Sequence, residues 1–440
     1  MSDSKNDIFN TMPVPKAYFS MTIPVVLSSL GGVIYNLADT YFISKTGSTN
    51  LVAGVSLCAP LMLIMVAFGD IFGIGGSSSI TRFFGSKEDE KAKGTASFCF
   101  YCATFIGIVF ALLMLLLKNP ILTLLGVTTE TYTYANDYYL FIVPYAPLCI
   151  MGVTFSNIIR AEGLVKENLF ANIIGYVANI ILDPIFIFNL NMGAAGAALA
   201  TTISRLITVS IFAFVITTKS QKLSLSPKYL SFTDTEIVSI LTIGIPASMV
   251  NILNSLITAI TNKFLLLYGV NEVAAMGIAS KINMITIMVM VGMAFGCQPL
   301  LGYNYGARND ERLKKILVFD IKAILTVTIS CALILSIFSS QLMTLFLDDL
   351  TIQGLGKIMI RFLVASIPFA GICTVFVTLF QAEGKALPAF ILTICRQGIL
   401  FIIAIFLLHA TFGYYGILAT NLVADSLSAV LSIAIYKKIR

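Results

Sequence analysis

Four aspartates stand inside long apolar runs of this chain: Asp39, Asp70, Asp183 and Asp425. An ionisable group deep in a membrane costs at least a few kcal/mol unless it meets a partner or a wet cavity, so each one is a candidate functional residue. Two of them have polar companions one helical turn away, since Tyr35 precedes Asp39 and Asn179 precedes Asp183 by four positions. If the two helices are neighbours, these pairs build a site from oxygen-bearing side chains.

The candidate site residues also lie at similar depth. At a helical rise of about 1.5 Å per residue, Asp39, Asp183 and Thr201 all fall in the outer half of their apolar runs. Pro184 directly follows Asp183, and it removes the hydrogen bond to the carbonyl of Ile180 and bends the helix there. Two ionised carboxylates at matched depth would repel each other, so we expect them to share one cation or proton and to titrate together.

The chemistry of such a site does not distinguish H⁺ from Na⁺ as the bound ion. Desolvation raises the pKa of a carboxylate, so the group can take up a proton on one side of the membrane and release it on the other. Carboxylate and neutral oxygen ligands equally suit Na⁺. We expect no other metal and no cofactor, because Cys99 and Cys102 are spaced for packing on an apolar helix and His409 is the single histidine.

The elements that hold these residues must be membrane helices. Charged residues make up 11% of the chain and hydrophobic residues 58%, against about 25% charged in soluble proteins. The apolar segments are too long for barrel strands and lack two-residue alternation, so helices are the remaining way to satisfy the backbone in lipid. We predict twelve spans, near 18–43, 52–76, 94–117, 134–157, 168–190, 195–217, 237–267, 273–300, 316–338, 358–380, 387–409 and 414–436.

The second half of the chain repeats motifs of the first half in the same order and at nearly constant spacing. "FFGSKEDEKAK" at 83–93 matches "NYGARNDERLKK" at 304–315, and "RAEG" at 160–163 matches "QAEG" at 381–384. Pro24 and Pro246 also match. We therefore predict an all-α membrane protein with two six-helix lobes related by an axis along the membrane normal, bounded as 1–218 and 237–440, with a cytoplasmic linker at 219–236.

The positive charges predict the orientation. With the N-terminus inside, the inner termini and loops hold 19 of the 28 Lys and Arg residues and the outer loops hold three, Lys45, Lys118 and Lys357. This asymmetry places both termini in the cytoplasm of a multi-pass cell-membrane protein. The segment before the first apolar run has no basic start and no cleavage motif, so we expect no secretory signal. The basic residues are those that topology requires, and we expect no nucleic-acid partner.

The C-terminal half does not copy the acidic pair. Between positions 237 and 380 the deep parts of the spans hold no acid, since Asp320 falls near the inner end of its span and Glu272 falls outside. Ion coupling is therefore expected to be one-sided, in the N-terminal half.

The motifs resemble those of the multidrug and toxic compound extrusion (MATE) family, in its DinF/MepA-like type, over essentially the whole chain. The resemblance rests on "NLADTYFIS" at 36–44, "ANIILDPIFIF" at 178–188, "MGAAGAALAT" at 192–201, "GYNYGARND" at 302–310 and "GYYGILAT" at 413–420. It implies alternating access and export of small amphiphilic, often cationic compounds in exchange for H⁺ or Na⁺, by a protein that we expect to be a monomer in membrane lipid.

The resemblance also implies roles for single residues. Asp39, Asn179, Asp183 and Thr201 would form the cation or proton site, and Tyr35 and Asn157 would contact substrate. The acidic pair that NorM-type members carry in the second lobe is absent from this sequence.

Two other functions stay open at this point. A flippase for a lipid-linked saccharide would share the architecture, but its cleft should carry several arginines for pyrophosphate, and only Arg205 and Arg396 lie deep. A membrane-embedded enzyme lacks a candidate centre, because the chain has no HExxH and no Ser/His arrangement. An ATP-driven pump would need a GxxxxGK[ST] loop, which is not found.

Overall fold

The computed structural model describes residues 8–230, 234–346 and 349–439, and nearly all of them are helical. The helices are α1 Val14–Lys45, α2 Thr49–Leu57, α3 Ala59–Ser86, α4 Asp89–Leu116, α5 Lys118–Leu124, α6 Tyr132–Ile142, α7 Ala146–Ala161, α8 Val165–Pro184, α9 Gly193–Thr218, α10 Asp234–Leu265, α11 Val270–Gly306, α12 Asp310–Ile337, α13 Ser339–Thr344, α14 Leu350–Ala382, α15 Ala386–Ile394, α16 Leu400–Phe412 and α17 Tyr414–Ile439. A π-helical stretch, Ile185–Asn189, follows α8, and another, Cys395–Ile399, joins α15 to α16.

The predicted set of membrane spans is confirmed. Within the described ranges, eleven helical segments are long and apolar enough to cross a membrane, and a bent pair makes the twelfth. That pair is α6 and α7, which meet at an angle of 53°. The second predicted span is also interrupted, because α2 ends at Leu57 and α3 starts at Ala59.

The chain divides into two compact units. The N unit is Leu27–Ser248, and the C unit combines the residues up to Val26 with Met249–Arg440. These limits differ from the lobe limits predicted from the repeat in one respect: the first turns of α1 belong to the C unit, and the first turns of α10 belong to the N unit. The lobe limits 1–218 and 237–440 remain a prediction from the sequence.

The internal repeat is also visible in the backbone φ angles of matching residues. Lys87 ends α3 in the left-handed region with φ 63°, and Arg308, at the matching place in the second copy, follows α11 with φ 54°. Gly163 and Gly384, which also match, have positive φ of 84° and 76°. Each pair ends one helix and starts the next at the same place in its half, so the two halves share these helix-to-helix turns.

Close backbone contact explains why the first turns of α10 belong to the N unit. A Cβ atom at Gly244 would overlap the carbonyl oxygen of Ile71 in α3, and one at Gly75 would overlap the carbonyl oxygen of Ile240. Glycine at both positions lets the two helices approach. The guanidinium of Arg82 also donates to Ser239 Oγ at 2.9 Å.

The predicted linker packs on the N unit as far as it is described. The hydroxyl of Ser97 donates to the carbonyl of Ser224 at 2.9 Å, and Tyr101 donates to the carbonyl of Leu225 at 3.1 Å. Lys222 pairs with Asp89 at 2.9 Å. Residues 231–233 of the linker lie outside the described ranges.

Candidate functional site

The two predicted polar pairs meet inside the N unit. Helix α1 carries Tyr35 and Asp39 one turn apart, and α8 carries Asn179 and Asp183 in the same way. The carboxyl groups of Asp39 and Asp183 lie within hydrogen-bonding reach of each other. Asp183 and Asn179 are fully buried, whereas Asp39 is partly exposed.

Asn179 links the acidic pair to α9. With its amide oriented to satisfy both of its ends, Asn179 Nδ2 donates to Asp183 Oδ2 at 2.9 Å and its oxygen accepts from the backbone N–H of Thr201 at 3.2 Å. The Thr201 side chain is buried, and the hydroxyl of Tyr35 reaches it. Four residues predicted as the cation site, and Tyr35 beside them, therefore occupy one place in the fold.

Two carboxylate oxygens of this cluster remain unsatisfied. Asp39 Oδ1 and Asp183 Oδ1 are buried, and no hydrogen-bond donor among the described residues reaches them. Ionised carboxylates only accept hydrogen bonds, so two of them cannot bond each other without a proton or a cation between them. The arrangement is therefore suited to binding one small positive charge.

An aromatic wall adjoins the acidic pair, and the sequence reasoning missed most of it. Tyr35 stacks on Tyr176 with centroids 5.4 Å apart and planes at 8°, and Tyr138 lies buried near Asp39. A signal for Tyr176 was present in the sequence. Gly31 and Gly32 form a doublet in α1, and a Cβ at either would stand 3.2 Å from the Tyr176 side chain.

A fixed cation stands one turn below Thr201. Arg205 lies on the same face of α9, its Nε donates to the hydroxyl of Tyr145 at 3.2 Å, and Tyr35 and Tyr176 are within its electrostatic reach. The sequence showed that Arg205 is deep but not that it lies near these tyrosines. The N unit thus places a positive group and the acidic pair near the same two rings.

Asn157, the other predicted substrate contact, lies in a different cluster. It is buried in α7, donates to the carbonyl of Val153 at 2.9 Å and accepts from the guanidinium of Arg160. Asp70 of α3 is the acid near Arg160. The structure therefore does not bring Asn157 together with Asp39 and Asp183.

The deep charges of the C unit are paired differently. Arg396 Nε donates to Asp425 Oδ1 at 2.8 Å, and its Nη1 donates to Thr374 Oγ1 at 3.4 Å. Arg396 belongs to the π-helical stretch between α15 and α16. Asp320, by contrast, accepts a hydrogen bond from Tyr18. In the described parts of the chain, no group of three or more His, Cys, Asp or Glu residues is arranged to hold a metal.

Comparison with known proteins gives a family. The family model MatE matches residues 24–185 and again 246–407. The two matched segments are equally long, and each runs from the first span of one half into the fifth. The repeat predicted from short motifs is therefore confirmed.

Relatives and solved structures agree with this match. The chain is 29% identical over 440 residues to the multidrug export protein MepA of Staphylococcus saprophyticus, and equally identical to MepA of Staphylococcus aureus strain N315, covering 100% of this chain and 97% of each relative. Among solved structures, a MATE in complex with MaL6 superposes with a TM-score of 0.94 at 23% identity, covering 100% of this chain and 98% of the other.

A MATE in the bent conformation gives a TM-score of 0.88 at 26% identity, with 97% of each chain covered. These likenesses confirm the predicted fold class and the predicted resemblance to the MepA type. The family model matches well over half of the chain, and this protein belongs to the MatE family.

Proposed function

We propose that this protein is a secondary active exporter of small amphiphilic, often cationic compounds, driven by H⁺ or Na⁺ entering through the Asp39 and Asp183 site, and that it is not an enzyme. Relatives named multidrug export proteins support the substrate class. The single observation that carries the coupling is the contact between two carboxyl groups whose Oδ1 atoms lack donors among the described residues.

Coupling follows from the charge of this pair. When both carboxylates are ionised and empty, their repulsion and their buried, unpaired oxygens destabilise the contact between α1 and α8. Loading one positive charge removes the repulsion and draws the two helices together. The cation and a cationic substrate then compete for the same negative charge, so loading from outside favours release of substrate, and unloading inward resets the site.

The Asn179 amide fits either ion. With Nδ2 toward Asp183 and the amide oxygen accepting from the Thr201 N–H, it supports a proton shared by the acidic pair. With the amide oxygen toward the pair, Asp39, Asn179, Asp183 and Thr201 offer oxygen ligands to Na⁺.

The substrate contacts are proposed at the aromatic wall. The Tyr35 and Tyr176 stack supplies a flat apolar face with polar edges, which suits aromatic cations. Asn157 is proposed as a second contact, deeper toward the inner end of α7. We also propose that both termini are cytoplasmic and that the protein works as a monomer in the cell membrane.

Transport in proteoliposomes tests the proposal. Purified protein is reconstituted, and movement of a fluorescent aromatic cation is measured with a pH gradient alone, with a Na⁺ gradient alone and with neither. We expect one of the two gradients to drive movement, and no net movement without a gradient. Asp183→Asn keeps the shape and the hydrogen bond from Asn179 but removes the charge, so driven movement should be lost.

Asp137→Asn is the matched control, because it removes an acid of the same unit that lies outside the site. This variant should transport like the parent. Gradient-driven movement by Asp183→Asn at the parental rate, at equal protein density, would overturn the proposal. Movement driven by Na⁺ and not by pH would assign Na⁺ as the coupling ion.

A further inference from the structure

The start of the chain is fastened to α11 and α12 of the C unit. The carbonyl of Phe9 accepts from Asn304 Nδ2 at 3.2 Å and from Arg312 Nε at 2.9 Å. The guanidinium of Arg312 also donates to the carbonyl of Met12 at 2.6 Å. Phe9 stacks on Tyr303 with centroids 5.0 Å apart. These bonds lead directly into the first turns of α1.

The first turns of α1 then lie flat on α11. A Cβ at Gly296 would stand 2.7 Å from Thr22 Cα, and one at Gly292 would stand 2.8 Å from Val26 Cα. Small residues one turn apart let the two backbones touch, and such contacts hold helices by packing rather than by directed bonds. The first turns of α1 also make a side-chain hydrogen bond, and its acceptor lies on the next helix, α12.

That bond joins Tyr18 to Asp320. Tyr18 Oη donates to Asp320 Oδ1 at 2.8 Å, and both residues have no exposed surface. Asp320 Oδ2 is buried and meets no donor among the described residues. The ring of Phe319 packs edge-on against Tyr18 at 5.1 Å. The acid is thus enclosed by apolar and aromatic surface, and the donors that reach it from the described residues are neutral: the Tyr18 phenol and the weakly donating Cys297 thiol.

No cation of the described helices packed around Asp320 faces it. Tyr18 is the titratable group that α1 presents to it, and Cys297, also fully buried, is the one from α11. The bases of α14 lie near its other end, where Arg361 reaches the carbonyl of Ser336, about 24 Å along α12 from Asp320. On α12 itself, Lys322 is exposed, whereas Asp320 is fully buried.

We propose that Asp320 is a second proton-binding site, in the C unit, and that its proton holds the first turns of α1 on α12. A buried carboxylate needs a cation or several strong donors, and the described surroundings of Asp320 supply one phenol, one weakly donating thiol and no positive charge. The closed contact between Tyr18 and Asp320 is therefore stable only when Asp320 is protonated and neutral. Loss of the proton leaves an uncompensated charge that only water can satisfy, and the contact opens to admit it.

This site gives α1 an acid contact near each of its ends. Tyr18 meets Asp320 in the C unit, and Asp39 meets Asp183 in the N unit. The chain passes from one unit to the other between Val26 and Leu27, just after Pro24, whose ring leaves one backbone carbonyl of α1 without its usual partner. On this proposal proton binding extends to the C unit, whereas the sequence predicts ion coupling in the N-terminal half alone.

Hydrogen–deuterium exchange on the full chain in lipid nanodiscs tests the proposal. Exchange of the segment 14–26 is compared from acidic to alkaline buffer, with labelling times scaled to the intrinsic exchange rate. If the closed state requires the proton, protection of this segment should fall by up to about tenfold per pH unit above the transition. In Asp320→Asn, whose amide oxygen still accepts from Tyr18, protection should no longer depend on pH.

Three further variants separate the outcomes. Glu311→Gln removes an exposed acid of the same helix and should keep the parental pH dependence. Asp39→Asn, which abolishes the proposed coupled export, should keep it as well, so this inference and the export proposal can fail separately. Tyr18→Phe removes the donor and should lower protection at every pH.

Two results would overturn the inference: pH-independent protection in the parent, or a parental pH dependence in Asp320→Asn. If Asp320→Asn does not fold, the result with Tyr18→Phe decides the question. Parental protection of residues 14–26 in Tyr18→Phe would show that the hydrogen bond from Tyr18 to Asp320 does not hold the first turns of α1.

Discussion

Tyr35 of α1 lies flat on Tyr176 of α8, with ring centroids 5.4 Å apart and planes at 8°. This stack joins the same two helices as the contact between Asp39 and Asp183. Any change in the distance between α1 and α8 at the acidic pair therefore changes the environment of both rings.

The stack should report ion loading. The chain contains no tryptophan, so Tyr176→Trp introduces a single indole fluorophore at the site. We expect its emission to shift when the pH is lowered, because loading the acidic pair draws α1 toward α8. The same variant with Asp183→Asn should show no shift in this range. An equal shift in both proteins would mean that the rings do not sense the acidic pair.

Pro184 should affect the rate of transport more than folding. It ends α8, and the π-helical stretch Ile185–Asn189 follows it. Such a stretch departs from the α-helical hydrogen-bond pattern and is frequently found at functional sites. Pro184→Ala should restore a backbone bond and slow turnover severalfold while the thermal unfolding midpoint stays the same or rises.

Pro368→Ala, in the middle of α14, is the matched control and should leave turnover unchanged. Parental turnover in Pro184→Ala would show that the bend after Asp183 has no part in transport.

The pair formed by Arg396 and Asp425 should stabilise the C unit. The side chains are 22% and 11% exposed, so removing one partner leaves a poorly solvated charge. Arg396→Gln or Asp425→Asn alone should lower the free energy of unfolding by about 1–3 kcal/mol. The double variant should lose less than the sum of the two, as measured by a double-mutant cycle in denaturant. Additive losses would show that the contact contributes nothing.

The orientation in the membrane can be determined from two introduced cysteines. Ser48 caps the start of α2, and Glu88 stands between α3 and α4, so the two positions lie at opposite ends of one span. An impermeant thiol reagent added to intact cells should label Ser48→Cys and not Glu88→Cys. Labelling after permeabilisation controls for access, and the parent controls for the eight native cysteines. The reverse pattern would invert the proposed topology.

The sequence by itself determined the class of fold and the composition of the site. Lipid leaves a backbone of this length only the helix, so twelve apolar runs predict twelve spans, and α6 and α7 together supply the bent one. Helical periodicity also determines which residues share a face, and this is why Asp39 with Tyr35 and Asp183 with Asn179 were found as pairs. The repeat was visible because turns such as those at Lys87 and Arg308 need the same backbone angles.

Only the tertiary structure decided which faces meet. Helical periodicity says nothing about how two helices are rotated against each other, so Tyr138, Tyr176 and Arg205 could not be assigned to the site from their own segments. The same limit applies to Asp320. The sequence places it near the inner end of a span, and only the structure shows that Tyr18, from a distant part of the sequence, covers it and leaves no surface exposed. Burial is a property of packing between distant segments, and packing decides whether a carboxyl group can keep a charge.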